Sequence, residues 1–259
     1  SNGNSLTLRA HNTVNISGEL TNSGGIHLIG DNIVIGTTGQ NADVIVNHTG
    51  SDLTLTAADY ILTNDSIRLQ TQGGDLVLWS DSDNSGQGHI QLGTTNTFSS
   101  NGGDIILAGG EDTNSDSRPD GYAVTSGANS KPGIRLGADG SRVDLRSYGG
   151  DITIRGKHNS TSATGQGVTL TRNITIDAGA GAIEMEGRSN NGIGIDFGTF
   201  APSTTYSIVS AKTSGTAIQI VGAQTATTST SNVAIRSAMS GSFSPNIAAT
   251  GGGDVIIQG

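Results

Sequence analysis

Gly102-Gly103-Asp104-Ile105-Ile106-Leu107 is the stretch whose reading decides the fold. A glycine pair turns the backbone, and the strand after it carries Ile105 and Leu107 on one face, because side chains alternate across a strand with period two. The same apolar-x-apolar form recurs as Ile26/Leu28, Leu53/Leu55, Leu76/Leu78, Ile105/Leu107, Ile152/Ile154, Ile183/Met185, Ile218/Ile220 and Val255/Ile257. Self-similarity along all 259 residues predicts one elongated domain, 1–259, in place of separate globules.

Two further strand families run between these copies. One is marked by Leu6, Ile33, Tyr60, Ile90, Ile134, Val168, Ile193 and Val233. The other is marked by Val14, Val44, Ile67, a weak member near Phe98, Val143, Ile174, and members near Ile208 and Phe243. The three families keep one cyclic order. A chain that visits three sides in rotation predicts an all-β, right-handed parallel β-helix, a three-sided solenoid of about eight rungs spaced ~4.8 Å apart. An antiparallel sandwich suits short strands and many turns but leaves the three-fold rotation unexplained. A left-handed hexapeptide helix needs a shorter and more regular period. Leu53, Leu76, Ile105, Ile152, Ile183 and Ile218 should therefore stack in one interior row, with almost no helix anywhere.

Composition agrees with stacking. Gly numbers 40, Pro 4, and aromatics are 3%, so small aliphatic side chains must build the core. A formal charge of −9 opposes nucleic acid and anionic membrane surfaces as partners. No Cys is present, which removes disulfides and thiolate chemistry and fits an extracellular bacterial protein. No apolar run is long enough for membrane insertion, and the chain is expected to be a piece of a longer secreted protein.

Rung length varies chiefly at the corner after the opening motif. Early rungs need only Ile29 to Asn32 or Thr56 to Asp59, whereas later ones take Trp79 to His89, Ala108 to Gly133, Arg155 to Gly167 and Val221 to Asn232. The longest is an acidic loop inserted at 108–133. Insertions on one edge of a repeat protein often mark its binding edge. Trp79, Asp81, Asp83, His89, Tyr122, Lys131, Arg155, Lys157 and His158 are the candidate ligand-binding residues there, since planar polar groups beside aromatic rings suit a glycan. Trp79 has a competing role, packing against its own loop.

Within that loop Asp112, Asn114, Asp116 and Asp120 place oxygen donors in a D-x-N-x-D-x-x-x-D-G pattern, and the Arg118 carbonyl completes the curve. Calcium prefers this arrangement. The pattern lacks the closing Glu of an EF-hand, with Ala123 in its place, so a solvated acidic loop is the equal alternative. Asp52, Asp75, Asp104 and Asp151 precede the opening-motif strand in successive rungs and should form a ladder. Like charges at that spacing repel unless each finds a donor, so capping of turn amides is expected in preference to a row of cations.

No catalytic or cofactor-binding residue emerges. Outward positions of the opening-motif strands are His27, Thr54, Val77, Ile106, Thr153, Glu184, Gln219 and Ile256, which form no paired carboxylates and place no Lys or Arg beside one. His residues are scattered at 11, 27, 48, 89 and 158.

The run from Gly73-Gly74-Asp75-Leu76-Val77-Leu78-Trp79 to Gly102-Gly103-Asp104-Ile105-Ile106-Leu107-Ala108-Gly109-Gly110 resembles the repeat region of large bacterial exoproteins related to filamentous haemagglutinin. That resemblance implies a right-handed β-helix exported by two-partner secretion to the bacterial surface, acting in adhesion and biofilm formation. Its partners would be a glycan or exopolysaccharide, or a host or bacterial cell-surface receptor. The Asn-Pro-Asn motifs of the family's secretion domain are missing, Ser244-Pro245-Asn246 being nearest, which implies a stalk or mid-region. A polysaccharide lyase or hydrolase and an inert spacer are the alternatives. Terminal rungs without an amphipathic cap predict end-to-end self-association.

Overall fold

A computed structural model describes residues 3–37, 40–126, 131–137, 142–159, 165–198, 204–225, 233–237 and 244–259. Among these residues the regular structure is all strand. The strands form three sheets of ten, eight and eight members, and within each sheet a strand pairs with its equivalents one rung before and after. These ladders are parallel, which excludes the antiparallel sandwich. The chain is a three-sided parallel β-helix.

Alternation explains the strands one by one. In Leu53–Ala57 the side chains of Leu53, Leu55 and Ala57 are buried while Thr54 and Thr56 are half-exposed. Leu53 stands opposite Leu76, Leu76 opposite Ile105, Ile105 opposite Ile152, Ile152 opposite Ile183 and Ile183 opposite Ile218, which is the interior row expected from the repeat. One continuous apolar cluster fills the three-sided interior.

The glycine pairs have two different physical causes. Gly73, Gly102 and Gly149 hold φ of +87°, +117° and +135°, a region that L side chains rarely enter. Their partners Gly74, Gly103 and Gly150 are required by crowding, since a Cβ on Gly103 would lie 2.1 Å from the Gly74 carbonyl oxygen and one on Gly150 2.0 Å from that of Gly103. The Asp after each pair caps the next rung. The amides of Asp75, Asp104, Asp151 and Ala182 donate to the carboxylates of Asp52, Asp75, Asp104 and Asp151 at 2.8, 2.9, 2.8 and 2.7 Å. Each charge thus finds a donor. Buried hydroxyls secure the same corner, Thr71 on the Gly74 carbonyl and Ser147 on that of Gly150.

Three expectations about register need correction. Leu6 belongs to the opening-motif sheet, paired with Ile26, and Val14 lies opposite Ile33 in the second sheet. Leu20 is the first member of the third sheet, opposite Val44. A single apolar residue between two short polar corners concealed that strand, and the first rung was therefore read one side out of phase. In the second sheet Ile193 pairs with Gln166, while Val168 faces Ile195, and the strand expected at Tyr60 is Ile61–Thr63. Phe243 lies outside the described residues, and the strand beside it, Ser244–Ala249, puts Ile247 opposite Ile208.

Candidate functional site

The insertion after Ile105–Gly109 is a closed excursion. Gly109 and Gly121 form an antiparallel bridge, and the Asp120 amide donates to the Glu111 carbonyl at 3.0 Å. Beyond this neck Ala123–Thr125 rejoins the first sheet against Gly156–His158, so part of the expected 108–133 loop is strand. Residues 127–130 lie outside the described residues.

Inside the excursion the acidic side chains bind the loop's own backbone. Asp112 accepts the amides of Asp116 and Ser117 at 3.1 and 2.9 Å, Asn114 that of Asp116 at 3.0 Å, and Asp116 that of Arg118 at 2.9 Å. Asp120 accepts both the amide and hydroxyl of Thr113, the hydroxyl at 2.5 Å, which holds its carboxyl below the usual carboxylate range. Among the described residues no three His, Asp or Glu side chains group as a metal site.

Arg118 points inward along the sheet. Its guanidinium donates to Asp104 Oδ2 at 2.8 Å and also to Asp75 Oδ2, spanning two steps of the aspartate ladder. The excursion is thereby strapped across the outer face of the first sheet. Val77 and Ile106, expected to face outward, are only 3% and 6% exposed and cluster with Ala108 and Trp79. Pro119 next to the clamp is buried as well. Trp79 lies on this outer face and its indole N–H donates to the Gly110 carbonyl at 2.8 Å, so it packs against the loop, the competing role.

Two grooves open beside the excursion. A groove of about 410 Å³ separates it from the 81–87 turn, and Asn84, Glu111, Tyr122, Lys157 and Asn159 line it. Asn84 donates to Glu111 at 2.7 Å and ties the two loops together. Arg188 lies 4.8 Å above the Tyr122 ring, and burial, with Glu186 adding to it, pushes the phenol's pKa up. The second groove, about 240 Å³, is lined by Asp59, Tyr60, His89 and Lys131. Val124 lines both. The rings of Tyr60 and His89 stand 5.5 Å apart at 31°. Burial, and then the charge of Lys131, lowers the His89 pKa to about 4, so the imidazole is neutral at physiological pH. Recesses of about 430 and 490 Å³ on the early rungs carry no Tyr or Trp.

The structure sorts the expected ligand residues. Tyr122, His89, Lys131 and Lys157 line the grooves. Asp83 is exposed and accepts the Ser85 amide at 3.2 Å. Asp81, 1% exposed, builds its turn by accepting the amides of Gly86 and Gln87 at 2.9 and 3.1 Å, and burial raises its carboxyl pKa. The expected Arg155–Gly167 loop is in part the strand Ile152–His158, which extends the first sheet. Strand parity therefore puts His158 inside, fully buried against Gly165, where no external ligand reaches it. Arg155 lies on the outer face, with Nε 2.9 Å from Glu184 Oε1.

This last contact corrects the expectation that no basic residue stands beside Glu184. Arg188 pairs likewise with Glu186 at 2.6 Å on the same face. Extending the period-two count past Met185 and Ile154 would have found both pairs. Tyr60, Asn84 and Asn159 were invisible to spacing, because they meet their groove partners across rungs. Comparisons with family models, with curated proteins and with solved structures returned no match, and the functional reading rests on this chain's own geometry.

Proposed function

We propose that this chain is a non-catalytic binding module of a large bacterial exoprotein of the filamentous haemagglutinin-like kind, secreted to the cell surface, where it displays a glycan-binding edge in adhesion or biofilm formation. One observation carries the reading: two polar grooves with ring platforms, Tyr122 in one and Tyr60 with His89 in the other, share the Val124 ridge on a rigid scaffold. Carbohydrates stack apolar sugar faces on such rings while amides, carboxylates and ammonium groups take their hydroxyls. Loops held on rigid elements are also where binding concentrates.

Screening the chain against glycans and surface receptors, with Tyr60→Ala/Tyr122→Ala alongside, tests this. Binding lost in a double variant with an unchanged strand spectrum supports the site, and binding retained moves it elsewhere. No binding by the parent chain favours the inert spacer.

The Arg155–Glu184 and Glu186–Arg188 pairs beside Tyr122 favour a second reading, a polysaccharide-active enzyme. Reducing-end and unsaturated-sugar assays decide it, with Glu184→Gln as the control that should abolish any product release. In the binding reading, calcium would be held by the side chains of Asp112, Asn114, Asp116 and Asp120 with the Arg118 carbonyl. These hard oxygens fit the ion in type, and carboxylate oxygens that accept one amide keep a second lone pair. Calorimetric titration with calcium, and proteolysis of the loop with and without chelator, test it.

A further inference from the structure

We propose that the C-terminal end of the solenoid docks the N-terminal end of a second copy of this chain, so that copies add head to tail in rung register. The end is an open cross-section of the core. Val255 and Ile257 are 41% and 54% exposed, whereas Ile218 and Ile220, one rung earlier in the same rows, are fully buried. A cavity of about 170 Å³ opens there, lined by Phe197, Ile220, Ile235, Pro245, Ile247 and Ile257, apolar side chains with Ser237 at the margin.

The occupant is specified by the rung code. Inward residues of the first sheet send their amides toward the following rung, as Leu53 N does to the Asp75 carbonyl and Leu76 N to that of Asp104. Asp254 occupies the ladder position immediately before Val255, where its predecessors Asp52, Asp75, Asp104 and Asp151 each accept the amide of the next rung. Nothing follows Asp254 in the stack. A surface that presents this acceptor, a row of strand donors and an apolar cross-section asks for a rung of matching polarity.

The other end of this chain is such a rung. Leu6–Arg9, Thr13–Ile16 and Leu20–Asn22 are the first members of the three sheets, each parallel to all later members of its sheet. Continuing the observed rows by one step sets Leu6 and Leu8 on Val255 and Ile257, Val14 on Ile235, and Leu20 on Ile247. The Ser5 amide then meets the Asp254 carboxylate. Pro245 contributes no N–H to the third-sheet edge, so docking is carried chiefly by the first and second sheets.

Sedimentation velocity across a concentration series, with electron microscopy, tests the proposal on the intact chain. Rods that lengthen in steps of one chain are expected. Val255→Lys/Ile257→Lys alters only exposed side chains and should give folded monomers. Mixed into the parent chain, this variant still offers a competent N-terminal end and should terminate rods, shortening them in proportion to its fraction. Asp254→Ala should weaken association about 10-fold, the effect of one hydrogen bond to a charged group. A parent chain that stays monomeric at every concentration, association unchanged by the double variant, or a closed dimer that the variant does not shorten would each overturn head-to-tail docking.

Discussion

Replacing Arg118 by Leu removes the strap that holds the 110–122 excursion on the first sheet. Two charge-assisted contacts go with it, to Asp75 and Asp104. The side chains are 37% exposed for Arg118, 20% for Asp75 and 29% for Asp104, so the pairs lie between solvent-screened surface bridges and shielded ones. Exposed pairs contribute about 0.2–1 kcal/mol each and hydrogen bonds to charged groups about 1.5–3 kcal/mol. Screening takes the sum toward the lower side, about 1–3 kcal/mol for the clamp. That loss falls on local opening, because Asp104 Oδ1 keeps its bond to the Asp151 amide and the rung ladder stays intact. Amide hydrogen exchange over 110–122 should accelerate roughly 5- to 100-fold, while strands Leu76–Ser80 and Ile105–Gly109 keep their protection. The opened loop should also become a protease site. Unchanged exchange in the loop, or equal acceleration in the two strands beneath it, would refute the strap.

Gly103→Ala should destabilise the fold by several kcal/mol, read as a lowered chemical-denaturation midpoint, because its Cβ meets backbone that cannot move without separating two rungs. Ile105→Asp should cost about 3–5 kcal/mol by the same measurement, since it buries an unpaired carboxylate in the interior row; a loss below 1 kcal/mol would contradict the packing. His89 should titrate near 4 by NMR. The unfolded chain takes up that proton near 6.5, so stability contributed by neutral His89 is complete above about 6.5 and is lost as pH falls toward 4. An observed pKa at or above 6.5 would show the ring solvated.

The repeat itself was legible in the sequence because its cause is local. Apolar side chains two residues apart, delivered by Gly-Gly-Asp, identify a strand, its inward face and its predecessor in the stack without any knowledge of the rest of the chain. The aspartate ladder could be read the same way, as a column of like charges that required donors. Leu20 was missed for the converse reason, since a strand with one apolar residue carries no period.

The functional edge was decided by tertiary structure. Residues 79–89, 110–122 and 152–158 are separated along the chain, and only the stacking of rungs brings Asn84 onto Glu111, Arg118 onto Asp75 and Asp104, and Tyr122 beneath Arg188. Strand parity beyond the repeat decided that His158 faces inward while Arg155 and Lys157 do not. Composition of the loops indicated which chemistry was available. Which side chains reach a ligand, and which are consumed in closing a turn or strapping a loop, depends on distances across rungs, and those are set by the stacking period and the length of each insertion, quantities that no single segment of the sequence contains.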